Sequence, residues 1–197
     1  MSKGKIITII VIIGIILIAF FVFQGRYNKM VTLDEGVSEK WSQVENNYQR
    51  RADLIPNLVN TVKGYADHEK ATLTEVVEAR AKATSVKLSP DELNTETLRQ
   101  FQQAQDGLSS ALSKLLVVVE RYPDLKANQN FRDLQAQLEG TENRIANARR
   151  KFNESTFEFN SYIRRFPNNL LSAIFGFDKK PYFEGVKGSE EVPEVNF

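Results

Sequence analysis

The chain has 197 residues, with 26 basic and 25 acidic side chains, one histidine and no cysteine. Two of the basic residues, Lys3 and Lys5, precede a long apolar run, so the remainder has no basic surplus and does not suit a nucleic-acid binder held by phosphate contacts. Without cysteine there are no disulfides, no thiolate metal ligands and no lipid attachment through an N-terminal cysteine.

The run IITIIVIIGIILIAFFVF, from Ile6 to Phe23, has no charge and only Thr8 as a polar side chain. As a helix it spans about 27 Å, close to the hydrocarbon thickness of a bilayer. A cleavable signal peptide wants small residues at its exit, and Phe20, Phe21 and Phe23 are bulky, so residues 1–25 read as a retained membrane anchor. Lys3 and Lys5 on one flank nearly balance Arg26 and Lys29 on the other. The N-terminal amine tips the expectation to an inside N-terminus and an exocytoplasmic domain.

Helix is expected through the rest. The first soluble stretch starts near Asn28 or Val31, or runs on from the anchor, with the stripe Val37, Trp41, Val44, Tyr48, Ala52, Ile55, Val59, Val62. Pro56 sits in phase within this stripe and predicts a kink rather than a stop. Gly64 and Asp67 mark an end and a new cap, and a shorter helix follows from about His68 to Ser85. Ser89-Pro90-Asp91-Glu92 has the form of a capping box opening a third helix, whose heptad stripe runs from Leu98 through Phe101, Gln105, Leu108 and Leu112 to Tyr122 before Pro123 ends it. The fourth stripe runs from Phe131 through Leu138, Ile145, Phe152 and Phe159 to Phe166, predicting a rod of about 50–55 Å. Helices joined by short turns pack antiparallel. The expected fold class is therefore all-α: an N-terminal transmembrane helix followed by an elongated up-down-up-down four-helix bundle over 26–183. A short amphipathic segment, NNLLSAIFGF, stops at Gly176, and residues 184–197 form an acidic, flexible tail.

Catalytic chemistry is not legible. His68, between Asp67 and Glu69, has no second imidazole and no HExxH spacing, and reads as a solvated cap. No glycine-rich phosphate loop is present, and a serine nucleophile would have to borrow that lone histidine as its base. No catalytic, cofactor or metal residue is assigned. Two polar clusters stand out instead: Arg50, Arg51 and Asp53 in the first helix, and Glu142, Asn143, Arg144 and Arg149 in the fourth. Setting the antiparallel helices level at Val31 and Phe166 brings Asp53 to the height of Arg144, and Arg50 and Arg51 within a turn of Glu142. An inter-helix polar layer that fixes register is the expected role, and a polar ligand groove the alternative. Near the anchor, Leu170, Leu171, Ile174, Phe175 and Phe177 remain as an apolar patch. It suits capping of the bundle end, contact with the membrane interface beside Lys179 and Lys180, or packing on a neighbouring copy.

The segments RYNKMVTLDEGV, WSQVENNYQRRADLIPNLVNTVKGYADHE, LLVVVERYPDLKAN, FRDLQAQLEGTENRIANARRKFN and FNSYIRRFPNNLLS, in this order after a hydrophobic N-terminus, closely resemble the LemA family of bacterial membrane proteins. The resemblance covers roughly residues 1–183. It implies a single-pass protein of the bacterial inner membrane with an antiparallel four-helix domain, and it transfers no enzymatic activity and no active-site residue. The expected function is a non-enzymatic, membrane-anchored scaffold or adaptor of the cell envelope that self-assembles as a homo-oligomer. Its partners would be the lipid bilayer and other membrane proteins such as a membrane protease. The alternative is a tethered sensor that binds a small ligand in the polar layer.

Overall fold

The computed structural model describes residues 3–185, and among them the only regular secondary structure is helix, with no strand. Six α-helices follow in order: α1 (Lys3–Lys63), α2 (Lys70–Ser85), α3 (Thr95–Val119), α4 (Pro123–Ala127), α5 (Gln129–Arg164) and α6 (Asn168–Phe175). A short 3-10 turn, Pro90–Glu92, lies between α2 and α3. The anchor and the first soluble helix are thus one unbroken element. Most of the tail expected over 184–197 lies outside the described residues.

Several boundaries differ from expectation, each for a local reason. The Ser89–Glu92 box forms, with the Glu92 carboxylate accepting from the Ser89 backbone N–H at 3.1 Å and its hydroxyl at 2.8 Å, but it closes only the 3-10 turn. The α3 N-terminus is capped by Asn94, whose side-chain oxygen accepts from the backbone of Glu96 and Thr97, both at 3.0 Å. Asp67 is not a cap; α2 starts after Glu69. The Glu69 carboxylate instead accepts from the Tyr122 hydroxyl at 2.9 Å and Arg121 Nη2 at 3.1 Å, tying the head of α2 to the turn after α3. That bond pushes the Tyr122 hydroxyl pKa up. Pro123 opens α4 rather than closing α3, at the first helical position where its missing N–H costs nothing.

The chain divides into two compact units, each with its own core. The first comprises residues up to 39 with 155–179. It buries Met30, Val37, Phe159, Ile163 and Leu171. α6 ends at Gly176, which takes the left-handed φ of 74° that glycine adopts without strain, and the Phe177 N–H closes the turn on the Ser172 carbonyl at 2.9 Å.

The second unit comprises residues 40–154 and the segment from Lys180. One part of its core is aliphatic, with Ile55, Leu58, Val76, Leu108, Leu115 and Leu125 drawn from α1 to α4. Another is aromatic and centred on Trp41, the only tryptophan. Its indole N–H donates to the Leu88 carbonyl at 2.7 Å, so the buried donor is satisfied. Phe101 and Phe152 meet its ring edge-to-face, and Phe183 stacks on it at 6.0 Å. Phe183 reaches this position without any helix: its backbone N–H donates to the Asn153 side-chain oxygen at 2.9 Å, and its carbonyl accepts from the same amide at 3.1 Å. The backbone contacts reach one residue further, to Glu184, where the expected tail begins. The Glu184 carbonyl accepts from Arg149 Nη2 at 3.0 Å and Gln102 Nε2 at 3.3 Å.

α1 runs through Pro56 without ending. Proline has no N–H to give the carbonyl four residues earlier, which here is that of Ala52, a buried residue. Arg80 Nε on α2 supplies the missing donor at 2.7 Å. Arg80→Ala is expected to destabilise the full chain by about 1–3 kcal/mol, because a buried carbonyl loses its partner. In a Pro56→Ala background, where the helix supplies its own N–H, the same change is expected to cost less. Denaturant unfolding in detergent, followed by Trp41 fluorescence, checks this; strict additivity of the two changes would refute the pairing.

Candidate functional site

The side chain that organises the second unit is Arg51. It lies on the inward face of α1 with Val44, Tyr48, Ile55 and Leu58, at steps of three, four and seven, and is only 1 % exposed. Its Nη1 donates to Glu142 Oε1 at 2.7 Å and to Ser109 Oγ at 2.8 Å. Nη2 donates to the Gln105 side-chain oxygen at 2.8 Å and the Gln105 backbone carbonyl at 3.2 Å. Gln105 in turn donates to the Ala83 carbonyl at the end of α2, at 3.2 Å. The guanidinium also lies 5.1 Å from the Tyr48 ring centre. Only Nε is buried without a partner.

The remaining residues of the expected layer fall elsewhere. Asp53 does not meet Arg144. It is exposed and accepts from Gln49, one turn back on its own helix, at 2.7 Å. Arg50, Asn143 and Arg144 face solvent. Matching helix heights set the level of each residue but not its angle about the axis, and Asp53 is two residues, roughly 200°, away from Arg51. Arg149 belongs to the aromatic part of the core, its guanidinium 4.6 Å over the Phe183 ring. The sequence reading gave no role to Ser109, and set Gln105 only in a heptad stripe. A glutamine at an apolar heptad position is the signal that pointed to the network, since a buried amide needs partners.

Beside this layer opens a cleft of about 460 Å³ that the sequence reading did not anticipate, lined by Glu45, Tyr48, Gln49, Lys87, Phe101 and Gln105 among others. Burial pushes the half-buried Glu45 carboxyl above its usual pKa. Burial also raises the Tyr48 hydroxyl, against the opposing pull of Arg149 and Arg51. This wall of the cleft favours a group that brings positive charge or a hydrogen-bond donor to Glu45. Among the described residues no group of three or more potential metal-ligating side chains gathers, and His68 is exposed.

In the first unit, α6 packs against the turn of α1 that follows the apolar run. Arg26 Nη1 donates to Asn168 Oδ1 at 2.8 Å, and Tyr27 meets Phe175 and Phe177 edge-to-face at 4.9 and 5.8 Å. The apolar patch is split: Leu171 is buried and Phe177 half-buried, whereas Leu170, Ile174 and Phe175 are exposed. The apolar run itself has no residue of its most apolar window buried, and it is long and apolar enough to cross a membrane.

A family model described as LemA family matches residues 40–197. The chain belongs to the LemA family. The matched span starts at the boundary between the two units in α1 and takes in the acidic 184–197 stretch, which the sequence reading set apart. Among curated relatives, the chain is similar to magnetosome protein MamQ of Magnetospirillum gryphiswaldense, 28% identical over 201 residues, covering 93% of this chain and 74% of that protein. It is similar to magnetosome protein MamQ 2 of Paramagnetospirillum magneticum, 27% identical over 202 residues with the same coverage. Protein LemA of Metamycoplasma hominis is 26% identical over 158 residues, covering 79% of this chain and 67% of that protein.

The Arg51 network carries two expectations. Glu142→Gln is expected to destabilise by about 1–3 kcal/mol, below the value for a fully buried pair because Glu142 is 48 % exposed. Asp53→Ala, by contrast, is expected to lie within about 0.5 kcal/mol of the parent, as a surface substitution. Denaturant midpoints of the two variants check both.

Glu45 gives a pH dependence of known sign. Its folded pKa is raised above the usual 4.5, so the folded chain holds the proton more tightly than the unfolded one. Its cost to stability is absent below the unfolded pKa and fully present above the folded one. Glu45→Gln is therefore expected to raise the unfolding midpoint at neutral pH and to leave it unchanged at a pH below the usual carboxylate range. An equal gain at both pH values would exclude titration of Glu45 as the cause.

Proposed function

We propose that this chain is a single-pass protein of the bacterial cell membrane that acts as a non-enzymatic, self-assembling helical scaffold or adaptor. The observation that carries the reading is the apolar run at the head of α1, whose most apolar stretch has no buried residue, continuous with the helix that bears Trp41 and Arg51. Membership of the LemA family, and relatives named as magnetosome proteins that align over most of the chain, support a role built on this helical layout. In this reading α2, α3 and the flanking parts of α1 and α5 are an antiparallel four-helix bundle on the exocytoplasmic side. Arg51 sets its register, and the bundle's outer faces meet further copies or other membrane proteins, a membrane protease among them. Confinement to a bilayer raises the local concentration of copies, so even a weak contact yields an assembly.

The cleft beside Glu45 favours a second reading, a tethered sensor for a small ammonium-bearing ligand held between Glu45, Tyr48 and Phe101. A polyamine screen by thermal shift of the full chain separates the two: a stabilising shift that Glu45→Gln abolishes supports the sensor.

The scaffold reading expects mature protein from membranes to retain Ile6–Phe23, and its particle mass in mild detergent and in native-membrane nanodiscs to correspond to several copies. A chain that begins after Phe23 would refute the anchor, and a monomer in both settings would refute self-assembly.

A further inference from the structure

We propose that α6, together with Phe166, lies in the headgroup region of the bilayer as a second lipid contact with a preference for anionic phospholipid. The inference rests on the reading of Ile6–Phe23 as a membrane span, and three observations carry it beyond that reading. The first is position. Arg26 and Tyr27 follow Phe23 by about one helical turn, and they are the α1 residues that hold α6, through Asn168 and through the Phe175 and Phe177 rings. The ties put α6 at the level where the apolar run gives way to polar sequence.

The second is the face that α6 leaves open. Leu170 and Ile174, four residues apart on α6, are 56 % and 73 % exposed, and Phe166, in the link just before α6, is 81 % exposed, while Leu171 and Ser172 are buried. The helix is therefore already seated by its inner face, and the outer apolar face is surplus to that packing. Phe175, also exposed, meets the Tyr27 ring, so the open face continues onto the aromatic end of the apolar run, where amphipathic rings favour the membrane interface.

The third is charge. Arg164 and Arg165 immediately precede this face and Lys179 follows it, all exposed, with Asp178 the one carboxylate between them. Long cationic side chains beside an apolar helix face rest their stems on it and carry their heads to lipid phosphates. The same rim disfavours a second copy of the chain as the occupant, because a symmetric contact would bring two cationic rims together. An anionic leaflet complements it.

The absence of cysteine allows a clean test. The full chain, reconstituted in phosphatidylcholine nanodiscs with or without phosphatidylglycerol, would carry one environment-sensitive label at Ile174→Cys, at Ile16→Cys or at the exposed Val77→Cys. Quenching by lipids with a spin label near the headgroup or deep in the acyl chain reports depth. The expected result is shallow quenching at 174, deep quenching at 16 and none at 77. Phosphatidylglycerol is expected to increase quenching at 174 by roughly twofold or more, and Arg165→Glu with Lys179→Glu to reverse that increase without altering position 16. No quenching at 174 alongside deep quenching at 16 would overturn the inference while leaving the anchor standing. Equal quenching with and without phosphatidylglycerol would overturn the anionic preference. Self-quenching between labels at 174, with no lipid effect, would identify a second copy as the occupant and also overturn it. Loss of quenching at 16 would remove the anchor reading itself.

Discussion

A guanidinium withdrawn from water has five N–H donors to place, and they point in a fixed fork. At Arg51 the acceptors come from Gln105 and Ser109 on α3 and Glu142 on α5, with Gln105 extending the chain of bonds to the end of α2. Each acceptor reaches the fork only when its helix has the right height and the right rotation. Leucine contacts slide with modest loss, whereas this set tolerates no slip of one residue without stranding a charge. The aliphatic layer of Ile55, Leu58, Leu108 and Leu115 supplies the burial, and Arg51 selects which of the nearby packings that burial settles into. Its unpartnered Nε is the cost of fitting a planar fork among three helices.

The limits of reading the sequence follow from the same geometry. Apolar periodicity identified most of the inward faces, since Val44, Tyr48, Phe101, Leu108, Ile145 and Phe152 are all buried as their spacing requires, but Phe166, expected as the end of the fourth stripe, lies past the end of α5 and is exposed. Glycine at 176 was legible as a stop because its reason is local, a left-handed φ. The Arg51 layer was legible as a cluster but not as a wiring diagram. A linear argument from helix ends yields height without azimuth: it brought Arg51 within a turn of Glu142, which it meets, but paired Asp53 with Arg144, which it does not. The Asn94 cap was hidden behind a competing box that opens five residues earlier at Ser89, and both are good caps by composition. Phe183 was hidden because its partner is Asn153, a side-chain amide on α5, and no periodic signal marks a segment held by such a pairing.

The polar groups of the second unit divide by whether their bonding is closed. Apart from the unpartnered Nε, Arg51, Gln105 and Ser109 bond to one another, to Glu142 and to backbone, which suits a structural element. Glu45 sits a short way off in an open cleft, and burial disfavours its charge. A carboxylate in that state lowers its free energy by acquiring a cationic neighbour, so this wall rather than the closed layer is where an incoming ligand would gain most.

Phe183 bears on how the protein can be dissected. Among the described residues the last helix ends at Phe175, and by secondary structure alone those that follow it look dispensable. Yet the ring at 183 stacks on Trp41 and receives Arg149 across its other contacts, while Asn153 stands in for the neighbouring strand that a sheet would have provided. A boundary drawn at the final helix would cut through the hydrophobic core rather than around it, and would leave Trp41 facing the solvent that five loop residues, 181–185, now help to exclude.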